Sequence, residues 1–155
     1  ISMHGVRTAL LEEQARALGL PLEKAVIPMA ASNEEYEAAL ERVLSRYEGL
    51  LSRVVYGDIF LADVRKYREE YLGRLGFECE FPLWGMDTGK LAREFIESGW
   101  RAVVVCVDGD ALDGSFAGRE YDLNFLSDLP TGVDHCGENG EFHTFVYDGP
   151  IFCRR

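Results

Sequence analysis

The sequence predicts an α/β fold with a mainly parallel sheet and a small C-terminal lobe, and three observations carry that prediction. Short apolar runs alternate with longer amphipathic stretches over residues 6–107, the order expected when crossover helices join parallel strands. Glycines and prolines punctuate the alternation: Gly19, Gly76 and Gly99 follow helical stretches, while Pro28 and Pro82 follow strand-like ones. Residues 102–107 (AVVVCV) are apolar without interruption, as a strand covered on both faces should be.

Val6, Leu10, Leu11, Gln14 and Leu18 fall on one helical stripe that Gly19 ends. Residues 22–27 read as a short strand stopped by Pro28. Ser32-Asn33-Glu34-Glu35 is a capping box that starts a second helix, with Tyr36, Leu40, Val43 and Tyr47 on its inner face. The run at 53–56 is a strand ending at Gly57-Asp58. Leu61, Val64, Leu72 and Leu75 mark a third helix closed by Gly76, and residues 77–81 a strand stopped by Pro82. Asp87 or Thr88 caps a fourth helix through Leu91, Phe95 and Ile96. After Val107 the pattern loosens into turns at Asp108-Gly109-Asp110, Asp113-Gly114 and Pro130-Thr131-Gly132, one short helix within 121–129 and a last strand at 142–146. In open α/β sheets ligands bind beyond the carboxyl ends of the strands. The informative residues are then 28–32, Gly57-Asp58-Ile59, 83–87 and those from Asp108 onward.

At 155 residues, 47% hydrophobic and 28% charged, the chain suits one globular domain or a domain with a small lobe. A net charge of −11 repels duplex phosphate. That argues against nucleic acid as a partner and leaves a bound nucleotide open. No apolar run approaches the ~18 residues that span a bilayer, and the start does not read as a signal peptide, so no membrane partner is expected. Cys79, Cys106, Cys136 and Cys153 are scattered with no C-x-x-C pair, so a reducing cytoplasmic location without a disulfide framework is expected, with Cys106 a buried thiol.

The densest chemistry lies in residues 136–144 (CGENGEFHT), where Glu138, Asn139, Glu141, His143 and Thr144 bring two carboxylates, an amide, an imidazole and a hydroxyl together. Gly137 and Gly140 flank the Glu138-Asn139 pair and allow positive φ. The stretch reads either as a loop delivering acids to the mouth of a strand or as a polar turn into a hairpin, since Asn-Gly also signals hairpins. Asp108-x-Asp110-x-x-Asp113 fails the calcium-loop spacing, because Leu112 and Arg119 stand where ligands are needed. His135, Cys136, Glu138, Glu141 and His143 match no structural zinc spacing, so no protein-held metal is expected; a Mg²⁺ carried by a phosphate needs only one or two carboxylates. Asp58 reads as a ligand-binding residue or a helix cap, and Trp84 as a stacking ring or a rim contact. Arg65, Lys66 and Arg68 read as solvated, with Arg65 two turns from Asp58. No G-x-x-x-x-G-K-[ST], G-x-G-x-x-G or G-x-S-x-G occurs, so the chain has no self-contained phosphate-gripping loop.

Several stretches together resemble one family. Met3-His4-Gly5-Val6-Arg7, residues 10–22 (LLEEQARALGLPL), Gly57-Asp58-Ile59-Phe60, Pro82-Leu83-Trp84-Gly85 and residues 137–144 (GENGEFHT) are similar to segments of the diphthine–ammonia ligases. The resemblance runs over essentially the whole chain, and the glycine-acid loop is its most specific part. It implies a PP-loop ATP pyrophosphatase with the adenine nucleotide α-hydrolase type of fold, using ATP and Mg²⁺. It further implies that a carboxylate of a small molecule or protein is activated as an acyl-adenylate with release of pyrophosphate, and that ammonia then forms the amide. On this resemblance residues 1–82 are a nucleotide-binding domain and 83–155 a substrate lobe. Glu138, Glu141 and His143 are then assigned catalytic work on substrate or Mg–phosphate. Asn139, Gly140, Thr144, Trp84 and Asp58 are assigned to substrate, and Met3, His4 and Gly57 to the nucleotide.

Two departures shape the expectation. The family's Ser-Gly-Gly-Lys-Asp-Ser phosphate loop is missing, which implies that the chain is N-terminally incomplete, lacks the central strands and does not hydrolyse ATP alone. The loop of diphthamide-type members reads E-G-G-E-F-E, whereas here Glu138-Asn139-Gly140-Glu141-Phe142-His143 ends in an imidazole. That variant looks like a bacterial-type branch acting on a different substrate. The second hypothesis is an ATP-binding or sensing module without ligase activity. Homo-oligomerisation is compatible with the sequence.

Overall fold

The computed structural model describes residues 5–153, and the chain divides into two compact units, residues 22–84 and residues 5–21 with 85–153. Met3 and His4 lie outside the described residues.

In the 22–84 unit, helix α2 (Asn33–Leu44) begins at the expected capping box: Ser32 Oγ accepts the Glu35 N–H and Glu35 accepts the Ser32 N–H. Strand β1 (Arg53–Val55), helix α3 (Ala62–Arg74) and strand β2 (Glu78–Glu80) form a strand–helix–strand crossover. The strands pair in parallel, Val54 opposite Cys79. Tyr71, Leu72 and Phe77 form the core, with Leu40 and Leu44 of α2 packed on it. The Tyr71 hydroxyl donates to the Glu37 carbonyl at 2.7 Å, fixing α2 against α3.

Residues 22–27 form no strand, a correction to the sequence reading. No strand pairs with them, Val26 is 80% exposed, and Glu23 instead meets Arg46 and Tyr47. A run of apolar residues becomes a strand only where a neighbour takes its N–H and C=O groups.

In the other unit, helix α1 (Thr8–Leu18) stops at Gly19, whose φ of 68° and N–H bonds to the Ala15 and Arg16 carbonyls make the αL cap. Gln14 donates to the Val146 carbonyl, and the Cys153 N–H to the Ala17 carbonyl. Helix α4 (Thr88–Glu97) starts at Asp87, whose carboxylate accepts the Lys90 N–H. Strand β3 (Arg101–Val107), the short helix α5 (Leu123–Asp128) and strand β4 (Phe142–Asp148) follow. Ala92, Ala102, Val104, Leu112, Phe125 and Phe142 are core residues here.

The second correction concerns the sheet. The expected mainly parallel sheet is, among the described residues, two two-stranded pairs, β1–β2 parallel and β3–β4 antiparallel. The apolar run of β3 takes its partners from the C-terminal tail. β4 lies along one edge, and residues 118–121 bond the other through Val104 N–H to Arg119 C=O and Tyr121 N–H to Ala102 C=O. Alternation survives within β3: Ala102 and Val104 are buried while Val103 and Val105 are half-buried. Cys106, expected buried, is half-buried, opposite His143 past a bulge. All four cysteines are free thiols. Among the described residues no helix is long and apolar enough to cross a membrane.

Candidate functional site

The loop of residues 134–141 sits where the end of β3, the start of α4 and the start of β4 meet. It is built from two consecutive turns: the Gly137 N–H bonds the Asp134 carbonyl, and the Gly140 N–H bonds the Gly137 carbonyl. Gly137 has φ 69° and is buried; a Cβ there would stand 2.6 Å from the Phe142 carbonyl oxygen. Only glycine fits that backbone at that distance.

Two carboxylates hold the loop from inside. Asp134 Oδ2 accepts the N–H groups of Cys136 and Glu138, each at 3.0 Å. Glu141 is 7% exposed. Its Oε1 accepts the Asp134 N–H and the Asn139 side-chain amide, and its Oε2 accepts the Asn139 N–H. Burial would push the Glu141 carboxyl up, but the bonds from Asn139 and the Asp134 main chain outweigh it and hold it below its ordinary range. The Glu141 carbonyl accepts the Asp108 N–H at 2.9 Å and so ties the loop to the end of β3.

Three further contacts fix the loop. Tyr121 Oη donates to the His135 carbonyl at 2.7 Å. Cys136 Sγ lies 3.4 Å from the Thr88 carbonyl at the start of α4. Burial first, then the Asp134 carboxylate, pushes the Cys136 thiol up to about 11, so it is a neutral thiol at pH 7. The His135 ring lies beside Gly89, the second residue of α4, near the Asp87 carboxylate.

Among the sequence-predicted residues, Glu138, Asn139, Gly140 and Glu141 lie in the loop, where Asn139 meets Glu141, and His143 and Thr144 are the second and third residues of β4. Glu138, Gly140, His143 and Thr144 are half-buried and Asn139 is exposed. Thr144 shares a β4 face with the buried Phe142, and His143 shares the opposite face with Phe145. The side-chain oxygen of Asn139 makes no hydrogen bond among the described residues. Gly57, Asp58 and Trp84 belong to the 22–84 unit. There Asp58 is ion-paired to Arg68, with Nε 2.8 Å from Oδ2, and Trp84 packs edge to face on Phe81. Asp58 therefore does not cap α3, whose N-cap Leu61 has no side-chain bond.

Sequence reasoning passed over Asp134, Tyr121 and Asp87 as parts of this site. Asp134 had a signal: Asp at the first and Gly at the fourth position of Asp134–Gly137 is a type I turn pattern. Among the described residues no three His, Cys, Asp or Glu side chains gather to hold a metal ion. Asp134 and Glu141 both spend carboxylate oxygens on main-chain N–H groups of the loop.

Comparison with known proteins places this loop inside a recognised segment. Residues 87–155 match the family model described as the diphthamide synthase C-terminal domain. The diphthine–ammonia ligase of Danio rerio is 31% identical over 159 aligned positions, which cover 91% of this chain and 62% of that protein. The Schizosaccharomyces pombe protein of the same name is 29% identical over 126 positions, covering 79% of this chain and 21% of its own length. The human one is 33% identical over 101 positions, covering 61% and 38% respectively. The chain thus spans less than two thirds of the length of each.

Proposed function

We propose that this chain is a diphthine–ammonia ligase-like protein that serves an ATP-dependent amide-forming ligase reaction in the cytoplasm. The observation that carries the reading is the 134–141 loop, organised from within by Asp134 and Glu141 inside the segment that matches the diphthamide synthase C-terminal domain. A loop held this tightly presents its remaining groups in fixed positions, which is what a site needs to orient a reacting carboxylate.

In the proposed reaction a carboxylate oxygen attacks the α-phosphorus of ATP, and the bond to the pyrophosphate oxygen breaks. Ammonia then attacks the activated carbonyl, the bond to AMP breaks, and the nitrogen releases a proton. Mg²⁺, when bound, supplies charge neutralisation on the phosphates. Glu138 orients the substrate or the Mg–phosphate. Glu141, buried and already hydrogen-bonded, works through the loop as a positioning residue. Asn139, through its open side-chain oxygen, and His143 hydrogen-bond the substrate; Gly140 and Thr144 are also assigned to substrate, Thr144 from the other face of β4. Asp58, Trp84 and Gly57 are assigned to ligand from the 22–84 unit, and Met3 and His4 to the nucleotide. Residues 1–82 carry the nucleotide role and 83–155 the substrate role. His143, in place of an acid, is the reason to propose an acceptor other than diphthine, as in a bacterial-type branch of a PP-loop superfamily.

The test uses a version of the protein that includes an S-G-G-K-D-S phosphate loop. Glu138→Gln is expected to lower pyrophosphate release at least about 100-fold, as loss of an electrostatic contact in the transition state does. Unchanged release in Glu138→Gln would remove Glu138 from the reaction.

A further inference from the structure

The 22–84 unit presents an arginine that the proposed reaction does not use. The Arg65 guanidinium carbon lies 4.8 Å from the centre of the Phe81 ring and 4.6 Å from that of Trp84. The two rings meet edge to face at 6.1 Å, so the guanidinium rests in an aromatic corner. Its Nε donates to Glu69 Oε1 at 2.8 Å, one turn further along α3. Its two terminal amino groups make no hydrogen bond among the described residues. The side chain is one-third exposed, at 34%.

Arg68, one turn away, is the contrast. Its Nη2 donates to Asp58 Oδ1 at 3.2 Å, and its Nε lies 2.8 Å from Oδ2 as an ion pair off the hydrogen-bond direction. Its guanidinium carbon sits 4.1 Å above the Tyr56 ring. That arginine is closed by a carboxylate; Arg65 is held with its fork open. Both lie by the segments that leave β1 and β2, Tyr56–Asp58 and Phe81–Trp84. The strands are parallel, so these segments follow carboxyl ends, the side on which α/β sheets take ligands.

We propose that Arg65 is an oxyanion-binding residue whose terminal amino groups take two oxygens of a carboxylate or phosphate group on a ligand at the carboxyl ends of β1 and β2. The planar fork matches such a group bidentately. Ring contact fixes its plane, and the Nε bond to Glu69 fixes its tilt without covering the fork. Arg65 and Glu69, and Arg68 and Asp58, are neutral pairs in a chain of net charge −11. Recognition here therefore depends on bidentate geometry, not on long-range attraction. The inference rests on the ligase reading only for the source of the oxyanion, the acceptor's carboxylate or a phosphate of ATP.

The test titrates the ¹⁵N-labelled chain with succinate and, separately, with inorganic pyrophosphate, following the Arg65 Nε–Hε resonance, and repeats both titrations by calorimetry on variants. A saturable shift with at least one probe is expected. Arg65→Gln and Arg65→Lys should each weaken it about tenfold or more, Lys failing because it keeps charge but loses the fork. Lys66→Gln, on the exposed side of the same helix, should leave it unchanged. Tighter succinate assigns the subsite to the acceptor, and tighter pyrophosphate assigns it to the nucleotide. An Arg65 resonance that moves with neither probe overturns the proposal, as does binding unaltered in both Arg65 variants. Binding is read directly, so this result stands or falls separately from pyrophosphate release.

Discussion

Glu141 illustrates how far a residue's chemistry can be read before its surroundings are known. Its place among glycines and acids was visible, but its inward direction was not, because that depends on Asp134 seven residues upstream offering its N–H. Replacing Glu141 by Gln puts an amide donor among N–H groups that need acceptors, and should destabilise the protein by about 2 kcal/mol at pH 7. The pH dependence has a definite sign. The folded-state carboxyl is held below its ordinary value of 4.5, so the stabilisation is fully present above that value and is lost as pH falls through the folded-state value. Denaturation of wild type and Glu141→Gln from pH 7 to 3 should show a constant gap down to about pH 5 that then narrows. A gap that widens on acidification would mean that the carboxyl is raised by its burial.

At the scale of elements, those with local chemical punctuation were legible. The Ser32 capping box, the Asp87 cap, the Gly19 stop and the strands before Gly57 and Pro82 all form as read. Two segments whose state depends on a distant partner were not. Residues 22–27 have strand-like composition but no pairing, and the 118–121 segment that borders β3 has no strand-like alternation yet is paired. The close approach of Gly149 to Trp100 was equally invisible. A Cβ at Gly149 would stand 2.3 Å from Trp100 Cε3, and that indole stacks on Phe95 at 5.9 Å and meets Phe152 edge-on. Gly149→Ala must displace the ring and should cost about 1–3 kcal/mol, with a change in tryptophan fluorescence. Gly109→Ala, facing open space, is the control and should change neither. Equal effects in the two variants would show that Gly149 is not needed for the ring packing.

For the whole molecule, alternation of apolar and amphipathic stretches was enough to identify a mixed α/β protein but not its strand pairing. Three-residue strands β1 and β2 carry little register information, and the apolar run of β3 does not say which edge or direction its partner takes. The functional reading is subject to the same limit, since the site loop is explicit while no G-x-x-x-x-G-K-[ST] or Ser-Gly-Gly-Lys-Asp-Ser phosphate loop occurs in the sequence. Calorimetric titration of ATP with Mg²⁺ tests the reading most directly, on this 155-residue chain and on a version preceded by the S-G-G-K-D-S loop. The account predicts saturable binding by the longer chain and at least about 100-fold weaker binding by the shorter one, since the loop's N–H groups hold the phosphates. Equal affinity in the two would place the phosphate grip within these residues, and no binding by either would contradict an ATP-dependent ligase.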